Sequence, residues 1–156
     1  MLGFLRRKKK EKYGPFIYLS EPTLLYHTKT EKAILEVIEE KFNSNNILVP
    51  SDYGLRDTSP KIKDAEIFVA VAVLGKFTSL VGREVKIAQE LGKPIYTMLV
   101  ARDPEGIVYV WVEGVPEDVE WLSPEETQVF TQKFAHDEYM AYLKTGLFIG
   151  SRKREW

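Results

Sequence analysis

The 156-residue chain predicts an α/β fold, a mostly parallel sheet covered by helices on both faces. Three observations carry that expectation. Short apolar runs alternate with amphipathic ones along the chain, as successive strand–helix units require. One run, "IFVAVAVL" (67–74), is apolar on both faces, which marks a strand at the centre of a parallel sheet. Hydrophobic residues make up 44% and charged residues 29%, the balance of a globular domain long enough to bury a core.

The elements follow in order. "FIYLS" (16–20) is the first strand. Thr28 opens a helix, with Glu31 three residues on as a capping box and Ala33, Ile34, Val37, Ile38 and Phe42 as its apolar stripe. "NSNN" (43–46) ends that helix and "ILVP" (47–50) is the second strand. The loop "SDYGLRDTS" (51–59) leads to Pro60 in the first turn of a short helix. The third strand is the doubly apolar run. Next, "GKFTSLVGREVKIAQELGKP" (75–94) reads as a strand exit, a turn and a helix running to Gly92. "PIYTMLVA" (94–101) is the fourth strand. "RDPEG" (102–106) is a turn with proline at its second corner, so "IVYVWV" (107–112) returns as an antiparallel edge strand. The last helix opens at Ser123, with Pro124 at its first position and Glu126 closing a capping box, and ends near Gly146. Right-handed crossovers make a flavodoxin-like, three-layer α/β/α arrangement the economical solution, five strands in the order 2-1-3-4-5.

Charge divides the chain. Residues 1–14 carry Arg6, Arg7, Lys8, Lys9, Lys10 and Lys12 against Glu11, and residues 150–156 carry Arg152, Lys153 and Arg154 against Glu155. These are expected to be a basic flexible arm and a basic tail flanking one domain, 15–149. With a net charge of −1 overall, the domain itself is acidic, which argues against a general nucleic-acid binder. Contact of the arm with anionic lipid or nucleic acid is the lesser expectation beside a solvated terminus. No apolar run approaches the roughly 20 residues that cross a bilayer, and Met1 to Leu5 is too short for a secretory core, so a cytoplasmic protein is expected. There is no cysteine, hence no disulfide or thiolate site, and His27 and His136 have no metal-ligand spacing. Neither a metal nor a cofactor is expected.

In such sheets ligands sit at the carboxyl ends of the strands where the winding reverses, here between strands one and three. The loops meeting there are "SEPTLLYH" (20–27) and "GKFTSL" (75–80). The helix that follows raises a chemical question. At about 100° per residue, Leu80, Val81, Val85, Ile87, Ala88 and Leu91 share one face, with Arg83, Lys86, Glu90 and Lys93 opposite. Glu84 lies in the middle of the apolar face. A carboxylate there loses water, so it needs a partner or a job. The partner would be a cation, with Arg56 or Lys76 as candidates, or the N–H groups of a neighbouring helix terminus. The job would be stabilising or capturing a cation-like sugar as an N-glycosidic bond breaks. Such a site also needs an acid for the departing base, and an aromatic wall for which Tyr18, Tyr26, Tyr53 and Phe77 are available. Lys76 and Ser79 could hold a phosphate at the helix N-terminus. Strand three ends without the aspartate of a phospho-receiver domain. The loop after strand one has no glycine and carries Glu21, which excludes a flavin phosphate cradle. There is no dinucleotide glycine fingerprint and no phosphate-binding loop.

"IYLSEP" at the first strand, "IKDAEIFVAV" into the third and a glutamate nine residues before "KP" resemble the nucleoside 2-deoxyribosyltransferases. The resemblance covers roughly residues 16 to 100. It implies that Glu84 is the nucleophile attacking the deoxyribose. Where that family has an aspartate six residues before the glutamate, this chain has Thr78. A second family aspartate falls on Thr58, with Asp57 one step away, and Leu80 and Val81 replace a glycine–hydroxyl pair. A looser resemblance is to Toll/interleukin-receptor domains, some of which hydrolyse NAD; their glutamate follows a hydroxyl residue by six positions, as Glu84 follows Thr78.

The expected site therefore has Glu84 and Asp57 as catalytic groups, Asp57 being equally suited to cap a helix. Around them stand Ser20, Glu21, Pro22, Tyr26, Tyr53, Gly75, Lys76, Phe77, Thr78 and Ser79 as contacts to a nucleoside or nucleotide. The alternative is a non-catalytic nucleotide-binding or oligomeric interaction module of the same fold. The aromatic-rich end "EYMAYLKTGLFIG" (138–150) exceeds what one helix face needs, which suggests a homo-oligomer.

Overall fold

The computed structural model describes residues 11–145, with side chains to residue 137. The first ten residues of the basic arm, the tail and the aromatic-rich end lie outside the described residues or side chains. Among the described residues, seven strands and three α-helices follow in the order β1 (Ile17–Ser20), α1 (Lys29–Phe42), β2 (Ile47–Leu48), β3 (Ile67–Val73), β4 (Lys76–Phe77), α2 (Ser79–Glu90), β5 (Ile95–Asp103), β6 (Gly106–Glu113), β7 (Glu120–Trp121) and α3 (Pro124–Thr145). Short 3₁₀ turns occupy Thr23–Leu25, Pro50–Tyr53 and Ser59–Asp64.

The five principal strands run β2-β1-β3-β5-β6, parallel except for antiparallel β6. This is the α/β/α arrangement expected from the sequence. It differs by two short strands: β4 folds back on β3, and β7 lies parallel to β4. Alternation of side chains along the strands sorts the core into two layers. Ile17, Leu19, Val69 and Val71 face α1 and α3, while Tyr18, Phe68, Ala70 and Ala72 face α2. The two alanines on the second face leave room for α2 to lie close to the sheet.

The helix starts follow the sequence. Thr28 Oγ1 accepts the Glu31 N–H at 3.1 Å, but the Glu31 carboxylate reaches one residue further back, to the His27 N–H. Ser123 and Glu126 form the reciprocal capping box in full. On α2, Val81, Val85 and Ala88 are buried as expected, whereas Leu91 is 47% exposed because the helix has already ended beneath it.

The β3–β4 hairpin turns on Leu74 and Gly75, both at positive φ (54° and 78°). A two-residue turn with both central residues left-handed matches the twist of its strands, and Asn-Gly is its preferred sequence. Leucine there is strained. Replacing Leu74 with asparagine is expected to stabilise the fold by about 0.5–1 kcal/mol, read as a raised denaturant midpoint at unchanged slope.

Candidate functional site

At the head of β1, Tyr18 and Ser20 lie two residues apart and so share the sheet face that looks at α2. Glu84, in the second turn of α2, meets both. Ser20 Oγ donates to Glu84 Oε1 at 2.7 Å, and the Tyr18 hydroxyl donates to Oε2 at 2.8 Å. Tyr18 has one proton and spends it on Glu84, so the 2.7 Å contact with Thr58 Oγ1 is a bond that Thr58 donates. A relay therefore runs from Thr58 through Tyr18 to Glu84. The Tyr18 ring is fixed by stacking on Phe68 at 5.5 Å, with 7° between the planes.

Glu84 is 5% exposed. The cations proposed from sequence are engaged elsewhere: Lys76 Nζ bonds Glu120 at 3.1 Å, and Arg56 Nε bonds the Tyr53 carbonyl. Among the described residues no ion pair reaches Glu84. Burial pushes its carboxyl up, and the Ser20 and Tyr18 hydrogen bonds and the nearby Arg83 charge pull the other way without cancelling it. The same burial, reinforced by the Glu84 charge, holds the Tyr18 phenol in its neutral form. The site thus presents a desolvated carboxylate oriented by two neutral hydroxyls.

A pair of buried carboxyls meets just after β1. Glu21 follows Ser20 directly and is 1% exposed, with both oxygens lacking a donor. Glu31 Oε2, at the start of α1, is likewise buried without a donor. Burial and the adjacent Glu31 carboxyl push Glu21 well above the usual carboxylate range. A protonated Glu21 can donate to Glu31 through one of its two oxygens. Half-buried Tyr26 lies within reach of Glu21, Glu84 and Glu31, and their charges add to burial in raising its phenol.

The other expected residues divide. Pro22 is buried and starts the turn Thr23–Leu25. The Thr78 hydroxyl, six residues before Glu84, is buried without a partner and does not cap α2. Tyr53 is half-buried, with Lys61 and Arg56 over its ring at 5.3 and 5.6 Å. Phe77 is fully buried and packs edge-on against Trp121, making it core. Gly75 is exposed in the hairpin turn, at positive φ. Lys76 is committed to Glu120, and the Ser79 N–H to Thr127 Oγ1 at 2.8 Å, so neither expected phosphate contact is open. Asp57 is exposed and accepts the Ser59 N–H. The Ser59 backbone and hydroxyl, with Arg83 behind them, keep its carboxyl below the usual range. It is placed as a cap and as a carboxylate, not as a proton donor.

Sequence reasoning assigned Tyr18 to the ligand wall or the core, Thr58 to a departed family position and Glu31 to capping. The structure makes Tyr18 a direct partner of Glu84, Thr58 a partner of Tyr18, and Glu31 the neighbour of Glu21. For Tyr18 the signal was present in its even spacing from Ser20. Two clefts among the described residues lie elsewhere: one of 720 Å³ is lined by Arg83, Lys86 and Trp121, and one of 580 Å³ by Leu74, Val129 and Phe130. No family model, curated protein or solved structure matches the chain.

Proposed function

We propose that the protein cleaves or transfers the N-glycosidic bond of a nucleoside or nucleotide, with Glu84 as nucleophile. The observation that carries this reading is a buried carboxylate that forms no ion pair among the described residues, held by Ser20 and Tyr18 at the carboxyl end of β1. Resemblance to the nucleoside 2-deoxyribosyltransferases supports it.

In the first step a Glu84 oxygen bonds to the sugar C1′ while the C1′–N bond breaks, its electron pair leaving with the base. The base needs a proton, and the neutral Glu21 carboxyl, beside the same strand end, is the acid of the site best suited to give it. Water or an acceptor base then attacks C1′ and releases Glu84, giving hydrolysis or transfer respectively. Because Glu84 and Glu21 are both nearly closed off from solvent, the site must open locally to admit substrate. That closure is also what favours the second reading, a non-catalytic nucleotide-binding or interaction module.

The test is chromatographic detection of free base from a panel of deoxynucleosides, their monophosphates and NAD, with and without an acceptor base. Release from one class supports the enzyme, and exchange with the acceptor distinguishes transfer from hydrolysis. No release from any member of the panel moves the protein to the second reading.

A further inference from the structure

β6 is an open edge. Among the described residues it pairs with β5 alone, over an unbroken register from Gly106 to Glu113. Gly114, the next residue, donates its N–H to Ile95 at 2.7 Å. Backbone groups in an antiparallel ladder alternate in direction. Those of Val108, Val110 and Val112 therefore turn to β5, and those of Ile107, Tyr109 and Trp111 turn outward.

Proteins blunt such edges with proline, charge, bulges or a covering element. Residues 107–112 contain no proline and no charged side chain. Three consecutive residues are left largely in solvent: Val108 at 50%, Tyr109 at 42% and Val110 at 57% exposure. Their neighbours Ile107 and Trp111 turn into the core beneath α1, where Trp111 packs edge-on against Phe42 at 5.7 Å. The exposed apolar surface is thus confined to the middle of the edge.

From this we infer that β6 is the interface of a two-fold symmetric dimer, in which the sheet continues antiparallel into the β6 of a second copy. A second copy fits because a two-fold axis lets one edge donate to and accept from itself. Charge selects the register. Pairing centred on Tyr109 would set Glu113 opposite the partner's Glu105. Pairing centred on Val110 sets Glu113 opposite the partner's Ile107 instead. It also brings Tyr109 against the partner's Trp111, and Val108 against the partner's Val112. Cross-strand aromatic and β-branched pairs of this kind stabilise a sheet. Seven residues a side (107–113) make a small contact, at the low end of specific interfaces, so the dimer dissociates in the micromolar range. The inference does not depend on whether Glu84 is catalytic.

Its axis provides the test. Val110 has backbone groups turned to β5, so it faces the partner's Val110 as a non-hydrogen-bonded pair, with Cα atoms about 4.5 Å apart, within disulfide reach. The chain has no cysteine, which makes Val110→Cys the sole thiol. Under mild oxidation it is expected to cross-link about tenfold or more faster than Leu55→Cys, whose residue is 95% exposed and far along the chain from β6. In sedimentation across a concentration series the full-length chain self-associates, and Val110→Lys remains monomeric with an unchanged circular dichroism spectrum. A wild type monomeric throughout overturns the inference. So does association that survives Val110→Lys, or cross-linking no faster than the Leu55 control.

Discussion

Replacing Glu84 with glutamine is expected to abolish base release, by a factor on the order of 10³ or more, while leaving the melting temperature as high as that of the wild type or higher. The two halves of this prediction come from one cause. Glutamine keeps the volume of the side chain and an oxygen that can accept from Tyr18 or Ser20, but it has no negative charge to give to C1′. The charge is also what the fold pays for. Burial raises the Glu84 carboxyl above its ordinary value, so the folded state holds the proton more tightly than the unfolded one. A raised carboxyl destabilises the fold once pH climbs above the unfolded value, and the penalty is complete above the folded one. Glutamine removes that penalty. Its advantage is therefore present at neutral pH, shrinks as pH falls through the folded value and is gone below the ordinary carboxylate range. Thermal melts of both proteins across acidic and neutral pH read this directly. A structural glutamate predicts the reverse: loss of stability at neutral pH, where an essential acceptor has been weakened. Glu84→Ala is the informative contrast, since it leaves the Tyr18 and Ser20 hydroxyls buried without acceptors and should cost about 2–3 kcal/mol.

The fold was legible because its strongest signals are local. The doubly apolar 67–74 run could only be a central strand, and the 3.6-residue stripe after it placed Glu84 against the sheet. The Thr28 cap and the Ser123–Glu126 capping box fixed where α1 and α3 begin. What escaped were relations set by tertiary approach. The two-residue strands β4 and β7 are too short to carry any periodicity, and exist because Phe77 and Trp121 pack together across a distance of 44 residues. Half of the site was equally hidden. Glu84 and Ser20 could be singled out from position. That Glu21 and Glu31 would meet in one buried pair depends on how α1 docks over the end of β1. Likewise, the loss of Lys76 and Ser79 as phosphate contacts depends on Glu120 and Thr127, which reach them from far along the chain.

The N-terminal boundary shows the same limit and yields the second large effect. Residues 11–14 read as the end of a basic arm, yet they are clamped to the turn between α1 and β2. The Tyr13 N–H donates to Asn45 Oδ1 at 2.7 Å, and Ser44 Oγ contacts the carbonyls of Tyr13 and Pro15 at 3.1 and 2.7 Å. Gly14 is the pivot. Its φ of 80° is left-handed, and a Cβ there would stand 2.5 Å from Ser44 Cβ and 2.6 Å from the Asn43 carbonyl oxygen. Neither neighbour is a flexible side-chain end: one belongs to a fully buried serine and the other to the left-handed cap of α1. Gly14→Ala is therefore expected to cost about 2–4 kcal/mol, combining the left-handed penalty with steric displacement of the turn. Gly92→Ala separates the two contributions. Gly92 also has positive φ, 68°, just past the end of α2, but a Cβ there meets nothing within 4 Å, so it should lose only about 1 kcal/mol. Denaturant midpoints for the two variants give the difference, which is the energy of the clamp's close approach. Equal midpoints would mean that residues 11–14 lift from the turn at little cost and belong to the arm after all.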